Sequence, residues 1–134
     1  MWDAIIDMTI PTSARGVVTT INVTSYGPLM DYLAEQRGCE VVMAQETHVV
    51  ADRLAAMQAG ASGCGFHGVW APALPTTGTG SQGGVAILAP THVQVTAPPG
   101  RSSPILEPGR VSAAHVHWGA GGGFVAVSAE LRDG

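Results

Sequence analysis

Two residues with chemistry to offer close two apolar stretches of this 134-residue chain. Asn22 stands near the end of the β-branched run Val17 to Val23, and Glu46 near the end of the run Glu40 to Thr47. If the two runs are neighbouring parallel strands, both residues lie at carboxyl ends, outside which open α/β sheets bind their ligands. A carboxylate there can hold Mg²⁺, which takes one or two carboxylates and keeps several waters, while an adjacent amide can hydrogen-bond a phosphate oxygen. Asn22 is the sole asparagine in the chain. His48, two residues beyond Glu46, projects to the same side. The plainer role for Glu46 is a helix N-cap or a solvated strand end.

Other motifs carry less. Gly78-Thr79-Gly80-Ser81-Gln82-Gly83 matches G-x-G-x-x-G, but a dinucleotide turn should follow a strand, open a helix and be trailed by an acidic residue about 20 positions on. Here the strand-like run Val85 to Leu88 follows and no such acid appears, so a loop feeding a strand is the better description. His115 and His117 are two apart and share one face of a strand, which would let both touch a metal. No cysteine or carboxylate is close to them in sequence, so a solvated strand face accounts for the pair.

The elements that must position these residues can be placed from pattern. Val17 to Val23 predicts a strand; Ser25 to Gly27 caps a helix with Pro28 in its first turn, and Gly38 stops it. The continuous run after Glu40 predicts a strand covered on both faces and parallel to the first, completing a βαβ unit. A short helix over 51–59 follows, with Gly60 as a left-handed cap. Beyond it, Phe66 to Ala73, Gly84 to Ala89, His92 to Thr96, Arg110 to Trp118 and Phe124 to Leu131 predict short strands in antiparallel hairpins. Gly119 to Gly123 predicts a turn needing positive φ. The expectation is an α/β domain over 17–134, preceded by an N-terminal extension over 1–16, with helices on one sheet face and an uncovered apolar face on the other.

Composition narrows the function. The chain is 46% apolar and 12% charged, with a formal charge of −4, so it is a folded domain without the basic surface that binds nucleic acid by charge alone. It has no lysine, which removes Schiff-base and P-loop lysine chemistry. Its two cysteines, Cys39 and Cys64, read as small buried hydrophobes. Asp3 and Asp7 precede the first basic residue, Arg15, the reverse of a leader peptide, and Gly, Pro, Ser and Thr break the uncharged stretch 54–100 too often for a membrane span. An intracellular location and no membrane partner are the expectation.

The string Thr20-Ile21-Asn22-Val23-Thr24-Ser25, followed by a helix and by Val41-Val42-Met43-Ala44-Gln45-Glu46-Thr47-His48, resembles the opening of the endonuclease/exonuclease/phosphatase family. Its Q-E-T-H form is similar to that of retrotransposon-type endonucleases. Gly65 to Ala73, Gly83 to Leu88 and Gly109 to Leu131 extend the resemblance over most of the chain. It implies the N-terminal half of a four-layered α/β sandwich and phosphoester hydrolysis by metal-assisted attack of water. It also implies that Glu46 binds Mg²⁺ or Mn²⁺ and that Asn22 orients the phosphate or the metal network. His48, Ser81 and Gln82 are the candidate substrate-binding residues. The family's later G-D-x-N and S-D-H segments have no counterpart here, and many members carry a tyrosine where this chain has Glu130. The expectation is therefore an incomplete site, weak in metal binding and inactive alone, serving a nucleic acid or other phosphoester if completed. The alternative is a non-catalytic interaction module that self-associates through an uncovered sheet face.

Overall fold

β-Branched residues pack best on a pleated sheet, and the chain spends most of them there. The computed structural model describes residues 2–9, 15–35, 40–76, 78, 80–118 and 122–130. Strand β1 (Trp2–Thr9) pairs antiparallel with β2 (Arg15–Asn22), helix α1 (Tyr26–Ala34) follows, and β3 (Glu40–Gln45) returns parallel to β2. The βαβ unit is thus present, with Asn22 opposite Gln45. A 3₁₀ turn (Ala51–Arg53) runs into α2 (Leu54–Gly63). Strands β4 (Phe66–Ala71), β5 (Leu74–Pro75), β6 (Ser81–Gln82), β7 (Val85–Pro90), β8 (Gln94–Thr96), β9 (Ile105–Glu107), β10 (Val111–His117) and β11 (Phe124–Ala129) complete the described elements.

The main sheet has the order β1-β2-β3-β7-β4, with β7 antiparallel to both its neighbours. Every residue of β7 is buried, as its central place requires. A second sheet, β11-β10-β8 with β9 also on β10, packs on one face of the first, and β5 and β6 form a separate hairpin. The helices fill the opposite face, where Leu29 and Leu33 are wholly buried against Val42, Leu88, Phe66 and Trp70. Each such leucine contributes roughly 1.5–3 kcal/mol by leaving water.

Four sequence expectations change. The face expected to be bare is covered: Ala114, Val116 and Ala126 of the second sheet, with Trp118 and Val93, meet Val18, Val41, Ile87 and Ala89. The alternating pattern of β10 and β11 supplies a second apolar face that no local signal assigns to a separate layer. Residues 2–9, placed in an extension, instead pair along the edge of β2 and satisfy its outer backbone groups. Gly60 is inside α2 rather than capping it; a side chain there would collide with the Tyr26 hydroxyl, and Gly65, at φ +87°, takes the left-handed turn after the helix. Cys64 is a half-buried free thiol beside the helix-side core, not a fully buried one. Gly122 and Gly123 do have positive φ (90° and 85°), whereas Gly38, Cys39 and residues 119–121 lie outside the described residues. No helix among the described residues is long and apolar enough to cross a membrane.

Candidate functional site

The rim beyond β2 and β3 is where the backbone departs from ordinary conformations. Among the described residues, the non-glycine residues at positive φ are Thr24 (59°), Glu46 (59°) and His48 (57°), all on this rim. Left-handed backbone costs a side-chain-bearing residue roughly 1–2 kcal/mol, so the surroundings must hold it. They do so through two glycines. The Thr47 and His48 N–H groups donate to the Gly84 and Gly83 carbonyls (3.1 and 3.0 Å), and the Gly84 N–H donates to the Gly109 carbonyl (2.8 Å). Gly83 and Gly84 themselves have φ of +77° and +94°, and a Cβ on Gly84 would strike the Thr47 hydroxyl. Thr47 is buried between the two strained residues, so Glu46 and His48 are both turned outward.

Their side chains lie near each other. His48 Nε2 is 3.7 Å from Glu46 Oε2, and both are about one-third exposed. His48 Nδ1 faces the Ser81 carbonyl at 3.0 Å, which assigns its proton to Nδ1 and leaves Nε2 toward the carboxylate. Ser81 answers with a hydroxyl contact to the His48 carbonyl at 3.4 Å. The structure therefore brings Ser81 to His48. Gln82 is exposed on its short strand and is absent from the walls of the crevice of about 290 Å³ that His48 and Ser81 help to line. Asn22 uses Oδ1 to accept the Thr24 N–H at 3.3 Å and makes no hydrogen bond to Glu46.

A further acid joins from the far end of the chain. The Glu46 N–H donates to Glu130 Oε1 at 3.3 Å, and burial, then the Glu46 charge, push the Glu130 carboxyl above its ordinary range. Gln45 explains the approach: its amide donates to Ser128 Oγ at 3.0 Å and its carbonyl oxygen accepts from Thr20 at 3.2 Å, tying β11 to the tips of β2 and β3. No sequence pattern singles out Glu130. Nothing local links it to a residue 84 positions away.

Beside Glu46 lies a crevice of about 290 Å³ between the start of α1, the 48–50 loop, the start of α2 and the β5–β6 hairpin. Tyr26, His48, Arg53, Met57 and Ser81 are among its walls. Arg53 escapes sequence inspection because a lone arginine before a short helix carries no motif. A larger cleft of about 650 Å³, on the other side of the hairpin, is walled mostly by aliphatic residues and proline, including Val50, Leu74, Ile105 and Pro108.

Among the described residues no group of three or more His, Cys, Asp or Glu side chains clusters as a metal site. The pair Glu46 and Glu130 nonetheless suits a hard divalent cation. Two carboxylates are within Mg²⁺ practice, and a cation would relieve the like-charge contact that adds to burial in raising the Glu130 pKa. His115 and His117 stack with ring centroids 3.9 Å apart on the outer face of the second sheet. The Gly122 carbonyl and the Thr96 hydroxyl occupy one ring nitrogen of each.

No family, curated protein or solved structure matches this chain.

Proposed function

We propose that the rim beyond β2 and β3 is part of a divalent-metal phosphoester-hydrolysing site of the endonuclease/exonuclease/phosphatase type. The observation that carries this reading is the paired carboxylate: Glu46, held outward at φ +59°, against Glu130 with its raised pKa, at the carboxyl end of a parallel strand pair. Glu46 holds Mg²⁺ or Mn²⁺, with Glu130 as the second carboxylate in the place of a phosphate-facing tyrosine. The metal supplies Lewis-acid stabilisation of charge on the phosphoryl oxygens. Asn22 orients the phosphate or the metal network from the neighbouring strand tip. His48, locked by Ser81, holds a proton-accepting Nε2 toward the site.

The chain alone turns over no substrate on this reading. A site of this kind needs groups that position water and neutralise the leaving oxygen, and each missing one costs about 10²–10³ in rate. With Asn22 its sole asparagine, the chain holds no D-x-N segment to provide them, so they would come from outside these 134 residues. The four-layered sandwich belongs to the same proposal, its remaining layer lying over Val125 and Val127, each 51% exposed on the second sheet. Those valines also favour a second reading, a non-catalytic module that associates through that face.

Mn²⁺ binding followed by electron paramagnetic resonance tests the proposal. Wild type should bind weakly and Glu46→Gln not at all, with plasmid DNA left uncut by both. Absence of Mn²⁺ binding by wild type would overturn the metal role, and robust cleavage abolished by Glu46→Ala would overturn the predicted inactivity.

A further inference from the structure

The crevice walled by His48 and Ser81 combines one charged side chain with several apolar ones. Its charged wall is Arg53, and its apolar walls are Tyr26, Met57, Val49 and Val50. Arg53 is exposed and makes no ion pair among the described residues. Tyr26 is fixed rather than free: its hydroxyl donates to the Met57 carbonyl at 3.0 Å, and Gly60 leaves the room its ring tip needs. The result is an immobilised aromatic beside a thioether and a single guanidinium at the rim, with His48, another wall of the crevice, 3.7 Å from Glu46.

We propose that this crevice is the subsite for one unpaired nucleotide next to the scissile phosphodiester, so that the substrate is a single strand of nucleic acid. Arg53 takes the flanking phosphate, and Tyr26 with Met57 forms the platform for the base. The inference rests on the metal-site reading for which bond is cut, but the subsite binds without metal. A phosphodiester carries one negative charge and one arginine suffices to hold it. A polyphosphorylated headgroup would need several cations, which this crevice lacks in a chain of formal charge −4. A base can reach the Tyr26 and Met57 surface only when it is unstacked, which excludes an intact duplex. Deoxyribose and ribose strands share this chemistry, and the contacts named do not distinguish them.

The test is fluorescence anisotropy with labelled (dT)6 and (rU)6 on the full 134-residue chain in EDTA, against unlabelled inositol trisphosphate and a DNA duplex as competitors. Wild type should bind one or both single strands, and neither competitor should displace them at equal concentration. Arg53→Ala should weaken binding at least fivefold and lower the salt slope by about 0.7, the value for one phosphate contact on a single strand. Met57→Ala should weaken binding about threefold with the slope unchanged. Arg101→Ala, an exposed arginine in the separate 100–103 loop, should change neither. Circular dichroism of each variant establishes that it is folded. The subsite is overturned if the single strands do not bind, if Arg53→Ala behaves like Arg101→Ala, or if inositol trisphosphate or duplex displaces the strand. Strand binding by a chain that fails to take up Mn²⁺ would sink the metal-site reading and leave the subsite standing. Mn²⁺ binding without strand binding would do the reverse.

Discussion

Glu40 and Glu46 stand at opposite ends of one strand, and the molecule treats them in opposite ways. Glu40 opens β3, is 8% exposed, and accepts hydrogen bonds from the Thr19 hydroxyl and the Tyr32 phenol. Burial and the bond to Glu40 push the Tyr32 phenol up to about 12, so it stays a donor. Glu46 lies just past the other end, one-third exposed, on strained backbone, beside a second carboxylate and an imidazole. A carboxylate surrounded by hydroxyl donors is an internal fastener. One facing another acid across a strained turn adds little to stability and is open to a ligand. Residue type does not separate the two roles; the donors around each carboxylate do.

The sharpest way to break the contrast is to disturb the turn that presents Glu46. Gly84→Ala adds a methyl that strikes the Thr47 hydroxyl on backbone at φ +94°. Strain and overpacking together should cost about 3 kcal/mol in urea unfolding, and a loss under 1 kcal/mol would show that the 46–48 turn is not held as described. The two glutamates can then be compared directly. Glu40→Ala should destabilise by about 2 kcal/mol, the worth of hydrogen bonds to a charged acceptor, whereas Glu46→Ala should lie within about 0.5 kcal/mol of wild type. Equal losses at both sites would erase the distinction.

The smallest effect concerns Glu130. Its carboxyl binds its proton more tightly folded than unfolded, so between the ordinary carboxylate range and its raised value the folded state holds more protons. Stability therefore falls as pH rises through that window and is restored below it. Glu130→Gln removes the effect and should gain less than about 1 kcal/mol at neutral pH, because the partly exposed carboxyl is screened. Urea midpoints across a pH series read the result. A wild-type chain whose pH dependence through the window matches that of Glu130→Gln would contradict the raised Glu130 pKa.

Much of the scaffold was legible in the residues. The β-branched Val17 to Val23 run, the helix capped near Pro28, and the apolar run after Glu40 mark β2, α1 and β3, because these preferences act over a few neighbours. Of the short strands after Gly65, β4, β7, β8, β10 and β11 are similarly bounded by Gly and Pro, whereas β5, β6 and β9 lie outside the expected strands and β6 falls where a loop is expected. The rim was legible as far as Asn22, Glu46 and His48, in or just past one βαβ unit; the structure sets Ser81 against His48 and leaves Gln82 exposed on its strand. What escaped was each feature assembled from distant parts. The pairing of β1 with β2, the second sheet over Ile87 and Ala89, and Arg53 at the crevice have no local signature.

The residues alone determined that this chain forms an α/β domain with a parallel strand pair whose tips carry an amide and a carboxylate. Only tertiary structure decided that Glu130 would lie against Glu46 and that Gly83 and Gly84 would hold Glu46 and His48 outward. The division follows from range. Propensity and periodicity are fixed by side chains a few residues apart, whereas the contact between positions 46 and 130 exists because Gln45 and Ser128 meet when two sheets close over a shared core.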